Sequence, residues 1–572
     1  MEHNNEQPLE SADQEINPAE KIDHATEEKG HLHPKAHPHL GTIAYILVGL
    51  LVAVLAIYSG YYLGKRAGAL GRYAKLNAVL DLIDEVYVDD ISSDSIQEVA
   101  IPQILGQLDP HSTYLEPQIR QSETERLEGA FSGIGVQFNT ILDTVVVVHV
   151  IKGGPSARAG IRSGDRIVGV SGYDLTQQPL NEDSIRSRLR GEEGSIADLK
   201  IKRQNKDLNI RVARGYVPVN SLEVAYEIAP GILYAKLNGW GRTTHKEFLA
   251  AVSPMLNKQL KGIILDLRGN GGGYLEAAAK MCNEFLEKGQ EVLHVEGKAY
   301  PRETLLADGK GILKDVPLTV LVDDFSASSS EIFAGAMQDH DRATIVGRRT
   351  FGKGFVQQPY DFADGSEVRL TVARYFTPSG RCIQKAYEFG NSYEYEMELQ
   401  HRYENGDWDK EPEGPQNPEL LFRTAGGRVV YGGGGISPDV FIPRDTAGFT
   451  NYYLRLLDQG AISKFAFVYA DRYRAKLQAY KGLNKLRSYL STQNLLSQIG
   501  NYGHKEGVPL RPNALYTSRD LILRQVYALI AEQVLGRRAM WIILNESDYS
   551  ILKCVEIIEN QRAYPLSRNR EE

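Results

Sequence analysis

Four serines in the string Ser326-Ala-Ser-Ser-Ser-Glu331 are the first residues in this chain with the means for covalent chemistry. They follow an apolar run at 317–322 and open a helical pattern at 328–337. A serine at such a junction stands at the C-terminal edge of a sheet, near the free N–H groups of a helix start and the positive end of its dipole. That placement suits a nucleophile whose reaction develops an oxyanion. Ser328-x-x-Glu331 is also the pattern of a capping box, and taken alone the capping reading is the simpler one. Two further strings share the neighbourhood. Asp266-Leu-Arg-Gly-Asn-Gly-Gly-Gly273 has glycines that let backbone N–H groups approach a ligand closely. It is no phosphate loop, because no Gly-Lys-Ser/Thr follows. Thr350-Phe-Gly-Lys-Gly-Phe-Val-Gln357 presents Lys353 between two glycines, and on its own this lysine reads as a solvated loop residue. His111 beside Ser112, in Leu-Asp-Pro-His-Ser-Thr-Tyr (108–114), reads as a structural turn, since adjacent residues in a turn rarely face each other.

The elements around these strings alternate. Residues 262–267 and 317–322 are nearly continuous apolar strands, each followed by a Gly- or Ser-rich turn and a helical pattern. Strands alternating with helices imply a largely parallel, covered sheet, an α/β core. Residues 388–434, rich in Tyr, Glu and Gly, read as an insertion. Upstream, 145–150 is a β-branched run interrupted only by His149, and 153–172 follows with a short helix that Gly160 ends. This string resembles a PDZ domain of the protease-associated type, and Phe-Ser-Gly-Ile-Gly-Val (131–136) matches its carboxylate-binding loop. Backbone N–H groups at Gly133, Ile134 and Gly135 would hold a C-terminal carboxylate while the next strand pairs with an extended peptide.

Together the strings resemble the C-terminal processing peptidases, or tail-specific proteases, a Ser–Lys serine protease family. The resemblance covers about residues 75–447 and adds Tyr-Phe-Thr-Pro-Ser-Gly-Arg (375–381) and Gly-Ile-Ser-Pro-Asp-Val (435–440). It implies a ClpP/crotonase-like β-α core with an inserted PDZ domain. It also implies Ser328 as nucleophile, Lys353 as general base and Gln357 as the residue orienting the amine. The oxyanion hole would use backbone N–H groups of Gly272 or Gly273 and of Ser329, where the family's usual alanine is a serine. No metal or cofactor is expected. The substrates implied are proteins or peptides with exposed C-termini, captured or sensed by the PDZ domain, and homo-oligomers occur in the family. A free lysine titrates near about 10.4, so Lys353 must be buried among apolar groups, Phe351, Phe355 and Val356 being suitable walls, without an acidic partner. A silent scaffold binding C-termini, or a crotonase-like acyl enzyme, are the alternatives.

The 572 residues include 65 Lys plus Arg and 73 Asp plus Glu, a net charge of −8. That balance excludes a nucleic-acid surface. Cys282, Cys382 and Cys554 lie too far apart for a disulfide scaffold or a cysteine zinc site. Residues 1–41 form an acidic tail, with His31, His33, His37 and His39 close together, and are expected to be disordered. Residues 42–63 carry no charge and would span roughly 33 Å as a helix, enough to cross a bilayer. Lys65, Arg66, Arg72 and Lys75 follow that span, which by the positive-inside rule alone favours a cytoplasmic C-terminal part. The resemblance implies the opposite, a single-pass inner-membrane protein with a periplasmic protease domain. The remaining divisions are an N-terminal helical region at 64–129, the PDZ domain at 130–214, the protease core at 215–447 and a C-terminal helical region at 448–572.

Overall fold

The computed structural model describes residues 39–564, apart from 142, 143, 177–180, 205, 412, 413, 415 and 416. The expected disordered tail up to residue 38, and with it most of the histidine cluster, lies outside the described residues. Two compact units divide at Ile96/Gln97.

In the first unit a helix runs His39–Val86, broken at Tyr73, whose φ of −118° and ψ of 18° are not helical. The expected span 42–63 falls within it, and the described side chains at 51–59 are exposed. The side chains of 42–48, 50 and 60–63 lie outside the described residues. Among the described residues no helix is long and apolar enough to cross a membrane.

The second unit holds three sheets that bear on the site. The first, antiparallel, orders Val136–Ile141, Thr144–Val150, Arg166–Val170, Ile196–Arg203 and Lys206–Ala213. Along Ile196–Arg203 the buried residues are every second one, Ala197, Leu199 and Ile201, the period of a strand with one face on a core. Helix Glu182–Leu189 covers that face through Ile185 and Leu189, its start capped by Asn181 Oδ1, which accepts from the N–H groups of Asp183 and Ser184.

The second sheet orders Leu222–Ala229, Ile232–Leu237, Gly262–Asp266, Leu318–Val322, Thr344–Gly347 and Val440–Phe441. Its first pair is antiparallel and the rest are parallel. Both faces are covered, which is why Gly262–Asp266 and Leu318–Val322 read as unbroken apolar runs. Ile263, Leu265 and Val320 pack with Phe333 and Met337 of helix Ser329–Asp339. Ile264 and Leu321 pack on the opposite face with Ile551, Cys554 and Ile558 of helix Tyr549–Glu559. A helix far along the chain thus completes the protease core.

The third sheet is antiparallel and draws in a strand from the N-terminal side. Thr113–Leu115 pairs with Glu367–Phe376, which also pairs with Glu291–Gly297 and Phe355–Asp361. Residues 64–129 are therefore not helical throughout. The C-terminal helices, among them Ala461–Arg472 and Arg519–Leu535, form their own apolar cluster.

Candidate active site

Strand Leu318–Val322 delivers the serine string to the start of helix Ser329–Asp339. Three of its four hydroxyls have structural duties. Ser326 Oγ donates to Leu267 O at 2.8 Å, Ser329 Oγ to Gly273 O at 2.9 Å, and Ser330 Oγ to Asn270 O at 2.9 Å. These bonds lock the serine turn onto the glycine loop. Among the described residues the Ser328 hydroxyl donates to none. Ser328 is half-buried and sits at φ 54°, ψ −116°, a conformation disfavoured for a residue with a Cβ and held here by its surroundings. Such strain is a feature of functional turns between a strand and a helix.

The glycine loop lies directly against this turn. A Cβ on Gly272 would stand 2.8 Å from Ser328 Cβ and 3.0 Å from Ala327 O, so only glycine fits. Gly272 N–H already donates to Asn270 Oδ1 at 3.0 Å. Of the two glycines expected to supply an oxyanion donor, that leaves Gly273, whose N–H, like that of Ser329, carries no hydrogen bond among the described residues.

Lys353 is not a solvated loop residue. Its Nζ donates to Gln357 Oε1 at 2.9 Å, and Gln357 Nε2 donates to the carbonyl of His111. Burial, seconded by the positive charge of Arg369, lowers the Lys353 pKa. Among the described residues no carboxylate forms an ion pair with it, as the chemistry of a neutral amine requires. Phe351 and Phe355, expected as walls, pack edge-on around the His111 ring, with centroids at 6.4 and 5.9 Å.

Glu331 joins the two halves. Its buried carboxylate accepts from Ser328 N–H at 2.8 Å and Lys353 N–H at 2.9 Å through one oxygen, Oε2. Its other oxygen accepts from Gly352 N–H at 2.7 Å and Thr350 Oγ1 at 2.5 Å. Burial pushes this carboxyl up to about 7, against the pull of its donors. The Ser-x-x-Glu spacing pointed to the Ser328 contact, but nothing local signals the reach to Lys353.

The turn at 108–112 is the second feature the sequence did not disclose. Asp109 accepts from Ser112 Oγ at 2.6 Å and from Thr371 Oγ1 at 2.9 Å, fastening the turn to the third sheet. His111 and Ser112 do not form a pair. The ring of His111 meets Tyr395 OH at 2.7 Å, and burial followed by the charge of Lys353 lowers its pKa to about 3. It is neutral at any working pH. The insertion also bears on the lysine loop. Arg402, on helix Ser392–Glu404, donates to Thr350 O at 2.8 Å and Phe351 O at 3.3 Å.

Away from this centre, a groove of about 230 Å³ runs between strand Val136–Ile141 and helix Glu182–Leu189, lined by Phe131, Ile134, Gly135, Phe138 and Leu189 among others. Gly133, expected in its carboxylate loop, is not part of that lining. Its backbone is engaged in pairing with Gly215 and a bridge to Arg190.

Residues 231–390 match the family described as Peptidase family S41, residues 132–213 match the PDZ domain, and residues 452–536 match a family of unknown function. A probable CtpA-like serine protease of Staphylococcus aureus is 33% identical over 347 residues, 59% of this chain and 69% of that protein. The carboxy-terminal processing protease CtpA of Bacillus subtilis is 34% identical over 329 residues, 56% of this chain and 69% of its own. Among solved structures, the photosystem II D1 C-terminal processing protease is 25% identical, with a TM-score of 0.33, and covers 64% of this chain and 92% of its own.

Proposed function

The chain belongs to peptidase family S41 and is a C-terminal processing serine protease with a PDZ domain, and from that premise we propose that it works through a Ser328–Lys353 dyad. The observation that carries this reading is the state of Lys353: a half-buried lysine with a lowered pKa and, among the described residues, no carboxylate ion pair and one side-chain hydrogen bond, to Gln357. A neutral amine can accept the Ser328 proton as Oγ attacks the scissile carbonyl, and can return it to the leaving amine. Burial disfavours the charged form of the amine, the direction a general base needs. Gln357 keeps Oε1 towards the amine because its Nε2 is engaged by His111 O. The tetrahedral oxyanion would be held by the N–H groups of Ser329 and Gly273, the former at a helix N-terminus. A water then releases the acyl group by the same path in reverse.

The substrates of this reading are proteins with exposed C-termini. Their tails would add as a strand to Val136–Ile141, with the terminal carboxylate at Ile134 and Gly135. Main-chain pairing asks little of the sequence captured. The proposal includes a single-pass anchor at 42–63 in the cell inner membrane, with the protease on the periplasmic side, and a homo-oligomer. A reporter fused after Leu63 reads the orientation.

The test is turnover of an unfolded, tailed protein by Ser328→Ala and Lys353→Ala. Both are expected to lose about a thousandfold or more. Near-normal cleavage by either would end the dyad.

A further inference from the structure

The C-terminal helices meet the PDZ domain behind the strand that a substrate tail would join. Strand Val136–Ile141 pairs with Thr144–Val150, and the groove runs beside it. Gln137 and Asn139 border a second cavity, of about 320 Å³, whose far wall includes Phe467, Leu529, Gln533 and Arg537. Among the described residues Gln533 Oε1, buried there, has no hydrogen-bond partner.

Arg537 stands where three parts of the molecule converge. Its guanidinium donates to Gln137 Oε1 at 3.3 Å, to Glu223 at 3.1 Å and to Glu532 Oε1 at 3.4 Å. Glu223, on strand Leu222–Ala229 of the protease sheet, also accepts from Asn238 Nδ2 at 2.8 Å and Trp541 Nε1 at 3.3 Å. Asn238 leads two residues on to Trp240, whose N–H donates to Gly272 O at 3.2 Å and whose carbonyl accepts from Tyr274 N–H at 2.7 Å. Polar contacts therefore run from the groove strand, through Arg537 and Glu223, to the glycine loop against Ser328. A second fastening lies elsewhere on the PDZ domain, where Arg166 pairs with Asp471 at 2.7 Å.

We infer that Arg537 is a positioning residue for tail-dependent cleavage: it holds the PDZ groove strand in a fixed relation to the glycine loop, so that a captured tail directs the chain upstream of it into the active site. This rests on the proposed capture of C-termini in the PDZ groove. It gives the C-terminal helices a part in substrate selection, for unfolded polypeptides with a free terminal carboxylate.

The full chain is assayed on one unfolded protein in two forms, with its C-terminus free and with it amidated. Arg537→Ala is expected to raise KM about fivefold for the free form, as loss of a charged hydrogen bond would, with kcat little changed and the amidated form cleaved as before. Arg537→Lys should recover part of the loss. Gln137→Ala should reproduce it, and Gln137→Ala/Arg537→Ala should be no worse than Arg537→Ala alone. Equal effects on both forms, no effect on either, or single effects that multiply in the double variant would overturn the inference. Should Arg537→Ala not fold, Arg537→Gln on the same two substrates decides alone. A native enzyme indifferent to amidation removes tail capture itself, a failure distinct from a silent Arg537 in an enzyme that does discriminate.

Discussion

Ser328 follows directly from a buried strand, and its serine neighbours bolt the turn to the adjoining glycine loop. Lys353 has no such local frame. Its loop is held by Glu331 from the nucleophile helix, by His111 from the N-terminal turn and by Arg402 from the insertion. The nucleophile is thus set by contacts between two neighbouring strand ends, the base by segments scattered along the chain. One half of the chemistry can be disturbed by changes in remote segments while the other stays intact, and the comparison invites attack from either side.

The largest effect belongs to the group shared by both halves. Glu331→Ala would leave three backbone N–H groups and a hydroxyl buried without their acceptor, a cost of about 3–5 kcal/mol, and should abolish turnover; urea denaturation and peptide assays read the two losses. The same group has a pH signature. Its ordinary pKa is 4.5 and burial pushes it up to about 7, so the folded chain keeps a proton that the unfolded chain has lost between those values. Its contribution to stability is full below 4.5 and declines as the pH rises through about 7. Glu331→Gln should flatten that part of the profile of Tm against pH.

The lysine side is next. Native turnover should rise with pH along a limb that lies below the range of a free lysine, because only the neutral amine accepts a proton. Gln357→Glu would put a carboxylate 2.9 Å from Nζ, raise the lysine pKa and carry the limb to higher pH, with about a hundredfold less activity near pH 7. An unmoved limb would show that another group titrates. Arg402→Ala, which removes two contacts to the lysine loop, should cost about tenfold in kcat and leave Ser328 in its strained turn. The smallest effect on chemistry lies on the other side: Ser326→Ala should lower stability by about 1–2 kcal/mol, read as a fall in Tm, with turnover within about twofold.

The same contrast decides how much could be read beforehand. The two buried strands, the Gly-rich turns after them and the β-branched run of the PDZ domain are local patterns, and they stand where the sequence placed them. The role of Ser329 resolves as soon as its hydroxyl is seen bound to Gly273 O. Lys353 looked like a loop residue because its loop is held by residues distant in sequence, Gln357 bonding His111 O, Gly354 N–H bonding Gln384 and Thr350 O accepting from Arg402, and no spacing encodes that approach. Gly133, expected in the carboxylate loop from its glycine pattern, pairs with Gly215 and does not itself line the groove. Helix Tyr549–Glu559 had no motif, since covering the back of a sheet asks only for apolar residues at helical spacing.

That helix has a bearing on when the protease becomes dangerous. A chain emerging from the ribosome makes its nucleophile and base long before it makes the segment that seals the rear of their sheet. Until Ile551, Cys554 and Ile558 arrive, that apolar surface is open to water, and the site in front of it lacks a settled foundation. A hydrolase assembled in this order stays unfinished until helix Tyr549–Glu559 has been made.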